Sequence, residues 1–293
     1  MEAQPAVTHG QSERKTTTRE AVAAPPGEGG IHPSAVTRPG RYSRNRTKIR
    51  TVLTVLVGAA LWQFAAAHAS TLVLVPLQDI GRALVEQAQD GMLWTDLLAS
   101  SSGFALGLLV ASVAGILIGV AMAISGLVFD FLDPWVSALY STPLIALAPL
   151  FIIVFGIGLE AKVAVVITLA IFPVIINTTA GIRTTDTKLM ETARSFGAGR
   201  LQILRKVMLP WSLPFILTGL RLAVGRALIG VVVAEFFGSR NGLGHSVFVA
   251  SQNFDTANVW VGVFVLALIG TLLIRFMYSV ERKIAPWRAE ETV

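Results

Sequence analysis

The chain has 293 residues, 53% of them apolar and only 14% charged, with a net charge of +6. A soluble domain carries about a quarter of its residues charged, and apolar stretches of the ~20 residues needed to cross a hydrocarbon core recur here; a polytopic helical membrane protein is selected, and a β-barrel, with ~10-residue strands of alternating polarity, is excluded. There is no cysteine, which excludes disulfides, thiolate metal sites and cysteine nucleophiles, and the bases sit beside apolar runs as topological signals, which excludes nucleic acid as a partner.

Residues 1–48 are polar and rich in Pro, Gly, Ser and Thr, as in AAPPGEGGIHPS. Such a stretch buries too little apolar surface to fold, so a disordered tail is expected. The cluster Arg41, Arg44, Arg46, Lys48 and Arg50 abuts the first apolar run. A signal peptide has a much shorter basic region, and AAAHAS at 65–70 resembles a cleavage site only faintly. A membrane domain is expected over 49–285, with a short tail at 286–293.

About six spans are predicted, near 51–69, 103–125, 135–156, 162–181, 214–236 and 258–279. Within the 70–102 connection, ALVEQAQDGMLWTDLLAS predicts a short amphipathic helix outside the spans. Gly103, Gly107, Gly115 and Gly119 form small-xxx-small faces that allow close helix approach. Pro143, Pro149 and Pro173 fall in spans three and four, where neighbours or water must satisfy the freed carbonyls. Both features fit ordinary packing as well as a cavity.

The bases set an orientation. With the N-terminal cluster cytoplasmic, loop four (Arg183, Lys188, Arg194, Arg200, Arg205, Lys206) and the C-terminal Arg282, Lys283 and Arg288 share its side. Opposite them stand Arg82, Lys162 and Arg240, a positive-inside asymmetry that puts both termini in the cytoplasm. Loop two holds Asp130 and Asp133 but no base and says little.

Residues 190–210, METARSFGAGRLQILRKVMLP, form a charged, helix-prone insert between spans four and five. Asp186 or Thr187 is suited to cap a helix start. Leu189, Ala193 and Phe196 then recur at i, i+4, i+7 as one apolar face. Gly197 and Gly199 end or bend that helix. A second run places Leu201, Leu204 and Met208 on one face and Gln202, Arg205 and Lys206 on another, and Pro210 closes it. So short a helix–turn–helix cannot bury its own apolar residues and needs either a partner surface or the cytoplasmic ends of the spans.

This insert resembles the EAA loop of ABC-importer permeases: Glu-Ala-Ala, three residues, Gly, nine residues, Ile, one residue, Leu-Pro. Glu191, Ala193, Gly197, Leu209 and Pro210 are in register, with Thr192 for the middle Ala and Val207 for Ile. TPLIALAPLFIIVFGIG (142–158), FPVIINTTAGIR (172–183), LPFILTGLRLAVGRALIGVVVAEF (213–236) and SRNGLGHSVFVASQNFDT (239–256) look like the nitrate, taurine and alkanesulfonate subgroup, and the likeness runs over roughly residues 50–285. The resemblance implies the all-α, type I importer permease fold of a bacterial cytoplasmic-membrane protein. It implies that Glu191 engages a separate ATPase subunit, Ala193 permits close approach, Gly197 makes the bend and Pro210 fixes where span five begins. It also implies a second permease copy, a solute-binding protein and a small sulfonate, taurine or nitrate cargo; a thiamine-precursor pyrimidine is the alternative on the same framework. Neither G-x-x-x-x-G-K-[ST] nor H-E-x-x-H nor G-x-S-x-G occurs, so no cofactor is expected on this chain and ATP with its Mg²⁺ belongs to the partner.

Ionisable groups inside spans are costly and are functional candidates by default. Arg221 and Arg275 lie close enough to the cytoplasmic edge to snorkel. Arg226 sits deeper and faces either a cavity or an acid. Glu235 either pairs with Arg240 or lines the outer mouth. Gln63 and Asn177 either hydrogen-bond across helices or face a pathway, which makes Asn177, Arg226 and Glu235 the pathway candidates. Trp62, Trp94, Trp135 and Trp260 fit an interfacial belt. No Asp is expected inside a span, which argues against an ion-coupled secondary transporter.

Overall fold

A computed structural model describes residues 41–284. The chain divides after Leu53 into two units, and the described part of the first is the opening of helix α1 (Arg41–His68). Residues 41–48, expected in the tail, are therefore helical; residues 1–40 and 285–293, with the tails predicted there, lie outside the described residues.

Beyond α1 the order is α2 (Leu77–Gln89), α3 (Met92–Ile124), α4 (Gly126–Ser141), α5 (Ala148–Phe155), α6 (Leu159–Arg183), α7 (Thr187–Ser195), α8 (Arg200–Ile203), α9 (Leu209–Gly238), α10 (Leu243–Gln252) and α11 (Thr256–Ile284). Among the described residues, five helices are long and apolar enough to cross a membrane, or up to six with the bent α4–α5 pair counted as one. The expected all-α polytopic class holds, and its details change in three places.

First, α3 begins at Met92, so the second half of the predicted amphipathic helix is the opening of a 33-residue span helix, and α2 alone stands outside it. Second, the predicted second loop shrinks to Ser125, which closes α3 and caps α4 by accepting from Val128 N at 3.4 Å; Asp130 and Asp133 are helical. Third, span three is broken by 85° between α4 and α5. Thr142 precedes Pro143 and is extended (ψ 144°), as the proline ring demands of the residue before it. Its hydroxyl donates to Ala138 O at 2.9 Å and helps satisfy the end of α4.

The predicted glycine face builds the centre. A Cβ on Gly107 would meet Val166 at 2.5 Å, one on Gly115 would meet Val174 at 2.8 Å, and one on Gly119 would meet Thr178 at 2.7 Å. Both series ascend together, so α3 and α6 run parallel with backbones in near contact. Gly181 faces Ser212 and Phe215, Gly219 faces Pro173 and Asn177, and Gly230 faces Val166 and Leu169, so α9 runs antiparallel to α6. Ala111, Val166, Ala170, Val174, Ala223, Ala227 and Val231 fill the seam of these three helices. On the other side of α6, Val165, Leu169, Phe172 and Ile175 pack against Val136, Leu144 and Ala148 of the broken span. Helix α6 is the most buried of the membrane-length helices, which fits its apolar residues on more than one face.

Trp62 and Trp260 do more than mark an interface. Their rings meet edge to face at 4.6 Å, and they donate to Val75 O at 3.0 Å and Val73 O at 3.3 Å, tying the 70–76 connection to α11. Gln63 Oε1 accepts from Leu77 N at 3.2 Å, which satisfies an orphan N–H at the start of α2.

Candidate functional site

The 184–208 segment joins the C-terminus of α6 to the N-terminus of α9. Asp186 caps α7, its carboxylate accepting from Lys188 N at 2.8 Å. At the other end Gly197 N donates to Arg194 O at 2.8 Å and Ala198 N to Ala193 O at 3.0 Å, a Schellman pair that needs a left-handed residue between them. Gly197 supplies it with φ +76°. Gly199 is in the extended region instead, and its N–H donates to Gln202 Oε1 at 3.0 Å to start α8. The bend therefore belongs to Gly197 and the cap to Gly199.

No residue of α7 is buried. Leu189 is 45% exposed and Phe196 87%, with Glu191 and Thr192 on the surface and Ala193 half-buried. The Thr192 hydroxyl donates to Lys188 O at 2.8 Å, so the residue standing for alanine brings no unsatisfied polar group. Ile203 is the buried residue of α8. Pro210 does not end a separate second helix: α8, a π turn over Leu204–Met208 and α9 form one continuous rod. The wider turn accommodates the missing N–H and the ring of Pro210, and Ser212 Oγ donates to Leu209 O at 3.0 Å.

At the opposite end of the bundle lies a polar knot. Glu235 is fully buried, and Lys162 Nζ donates to its Oε1 at 2.9 Å. Ser100 Oγ stands 2.9 Å from both carboxylate oxygens, and Gly244 N donates to Oε2 at 2.9 Å. Gly242 N donates to Asp96 Oδ1 at 2.8 Å, Leu243 N to Ser100 Oγ at 2.9 Å, and Ser246 Oγ to Asp96 Oδ2. Lys162 also donates to Asn241 O at 3.1 Å. Two carboxylates thus sit on the first N–H groups of α10, where orphan donors and the helix dipole favour them. Lys162 is a buried partner of Glu235 rather than a loop base, Arg240 is exposed and is not that partner, and Asp96 is a buried acid within a span helix. The signal for Asp96 and Ser100 was in the spacing, because both continue the face of Gly103 and Gly107 one and two turns back. Beside the knot opens a 350 Å³ cavity lined in part by Asp96, Arg240, His245 and Asn258.

The remaining intramembrane candidates are dispersed. Asn177 is half-buried, and its Nδ2 donates to Pro173 O at 2.8 Å within its own helix. Arg221 pairs with Glu281 at 3.1 Å and lies over Tyr278 at 4.4 Å, clamping α9 to α11. Arg226 lies over the Tyr140 ring at 4.7 Å. Arg275 is exposed.

Among the described residues, an all-helical bundle with five to six membrane-length spans and an exposed helical loop between two of its central helices defines a multi-pass membrane protein. Residues 111–286 match the family described as "Binding-protein-dependent transport system inner membrane component", and the chain belongs to it. It is 36% identical over 253 residues to a putative aliphatic sulfonates transport permease protein of Bacillus subtilis, covering 86% of this chain and 91% of that protein. It is 35% identical over 258 residues to the taurine transport system permease protein of Escherichia coli, at 85% and 94% coverage. The formylaminopyrimidine transport permease protein of Halalkalibacterium halodurans is 31% identical over 250 residues, at 85% and 99%. The protein is thus an ABC-importer permease, a multi-pass inner-membrane subunit and not an enzyme, whose family works with an ATPase and a solute-binding protein.

Proposed function

We propose that α7 and the Gly197 turn carry force from a separate ATPase into this bundle and so drive import of a small sulfonate. The coupling surface comprises Glu191, Thr192, Ala193 and Gly197, with Leu209 and Pro210 joining it to α9. The observation that carries this is the exposure of α7: it has a helix cap at each end, an apolar face and no buried residue. Closure of two ATPase subunits on ATP would draw two such loops together and bias the bundle between outward- and inward-facing states. ATP and Mg²⁺ belong to that partner. The loop end and both termini face the cytoplasm, as the bases of 183–206 and 282–288 require. A second copy of this chain completes the pathway, since a two-fold ATPase pair is matched by a two-fold permease pair. The solute-binding protein docks at the knot end, near the connections before α3 and α11.

A sulfonate cargo follows from relatives named for aliphatic sulfonates and taurine, both more similar here than the one named for formylaminopyrimidine. Of the pathway candidates, Arg226 suits an anion, Asn177 lies on the same side of the bundle as the loop, and Glu235 acts through the knot that holds α10. Uptake into proteoliposomes containing permease, ATPase and binding protein tests the assignment. ATP-dependent accumulation of taurine or an alkanesulfonate is expected; accumulation of formylaminopyrimidine without either sulfonate overturns it.

A further inference from the structure

Arg226 lies 12 residues from the far end of α9, about 18 Å along the axis at 1.5 Å per residue. That depth is beyond what a snorkelling guanidinium spans, and a charge there is costly. No carboxylate pairs with it among the described residues. Its neighbours one turn away on the same stripe, Leu222 and Ile229, are 50% and 55% exposed, so this chain's own helices leave that face of α9 open. The guanidinium lies over an aromatic ring, Tyr140, at 4.7 Å. Tyr140 sits two residues before Thr142, where the span bends by 85°. Discontinuous spans with a charge beside the break are where transporters place polar cargo.

An aromatic ring against a guanidinium attracts its charge without using up its N–H donors. Those donors form a fork matched to two oxygens of one anion. We propose that Arg226, held by Tyr140 at the break between α4 and α5, is a transient intramembrane docking point for a small monovalent oxyanion, such as a sulfonate headgroup or nitrate. The proposal rests on the importer function above. Because the ring lies next to the break, movement of α4 against α5 alters the stack, so the site forms and loosens with the transport cycle.

The test uses the full assembly of permease, ATPase and binding protein in proteoliposomes, with taurine, nitrate and formylaminopyrimidine as separate probes. Arg226→Gln is expected to cut anion uptake per ATP hydrolysed by at least about tenfold, the worth of a lost charge-assisted pair. Arg226→Lys, which keeps charge without the fork, is expected to retain an intermediate rate. Tyr140→Leu is expected to raise the anion KM more than it lowers kcat, and Tyr140→Phe to stay close to wild type. Assembly on size-exclusion and basal ATP hydrolysis report folding; should Arg226→Gln not assemble, the Lys and Leu variants decide. Taurine or nitrate uptake within twofold of wild type in Arg226→Gln, Arg226→Lys and Tyr140→Leu alike overturns this proposal while leaving the importer function intact. A wild-type assembly that imports the pyrimidine and neither taurine nor nitrate overturns both.

Discussion

Gly197 offers the sharpest perturbation of the coupling loop. Its φ is +76°, and a Cβ built there meets nothing within 4 Å, so any penalty is conformational and none is steric crowding. Placing an L-residue in the left-handed region costs roughly 1–2 kcal/mol. Gly197→Ala should therefore depopulate the native turn by about five- to thirtyfold relative to competing conformers, partly offset by docking on the partner. Gly197→Pro goes further, because proline holds φ near −65° and removes the N–H that donates to Arg194 O. Both bonds of the helix terminus are then lost, at about 1 kcal/mol each beyond the strain. Since α7 buries no residue, membrane insertion and the melting temperature of the permease should stay within about 2 °C of wild type. ATP-driven uptake by the reconstituted assembly should fall modestly for Ala and by more than about tenfold for Pro, with uptake per ATP falling as well. Normal uptake with Gly197→Pro in a stably inserted permease would refute the assignment of the turn.

Three further outcomes follow from packing. Lys162→Met leaves Glu235 buried without its cation and should cost about 3–5 kcal/mol in thermal or denaturant unfolding, whereas Lys162→Met with Glu235→Leu should recover a large part of it; equal losses for single and double variants would show that the pair is not coupled. Gly107→Val drives a Cβ to 2.5 Å of Val166 and should abolish stable folding in detergent, while Gly225→Ala, in open space, should be silent by the same melting assay. Gln63→Leu removes the acceptor for Leu77 N and should lower stability by about 1 kcal/mol, with faster amide exchange at the start of α2.

Where the sequence pattern carried its own geometry, it was legible. Four glycines at helical spacing announced a close helix contact, and they make one with α6. Gly197 announced a bend and adopts the left-handed conformation a bend requires. What escaped were partnerships between residues distant in the chain. Lys162 and Glu235 lie 73 positions apart and Asp96 and Gly242 lie 146 apart, and no local period links such pairs. Asp96 was misplaced because polar residues at the head of a helix lower its apparent hydrophobicity, although they continue its buried face. Pro143 lies inside a single predicted span, whereas the chain bends there by 85°, with α4 and α5 each packed on α6. Likewise Pro210 looked like a terminator, yet a π turn lets the helix run through it.

The central claim is that the exposed α7 and its turn meet an ATPase subunit. The chain contains no cysteine, so single substitutions Glu191→Cys and Phe196→Cys introduce unique crosslinking points without further engineering. Short bifunctional reagents applied to the assembled importer should join both positions to the ATPase, and ATP should alter the yield. Labelling of these positions from the periplasmic side, or crosslinks that never reach the ATPase in an active assembly, would contradict the account.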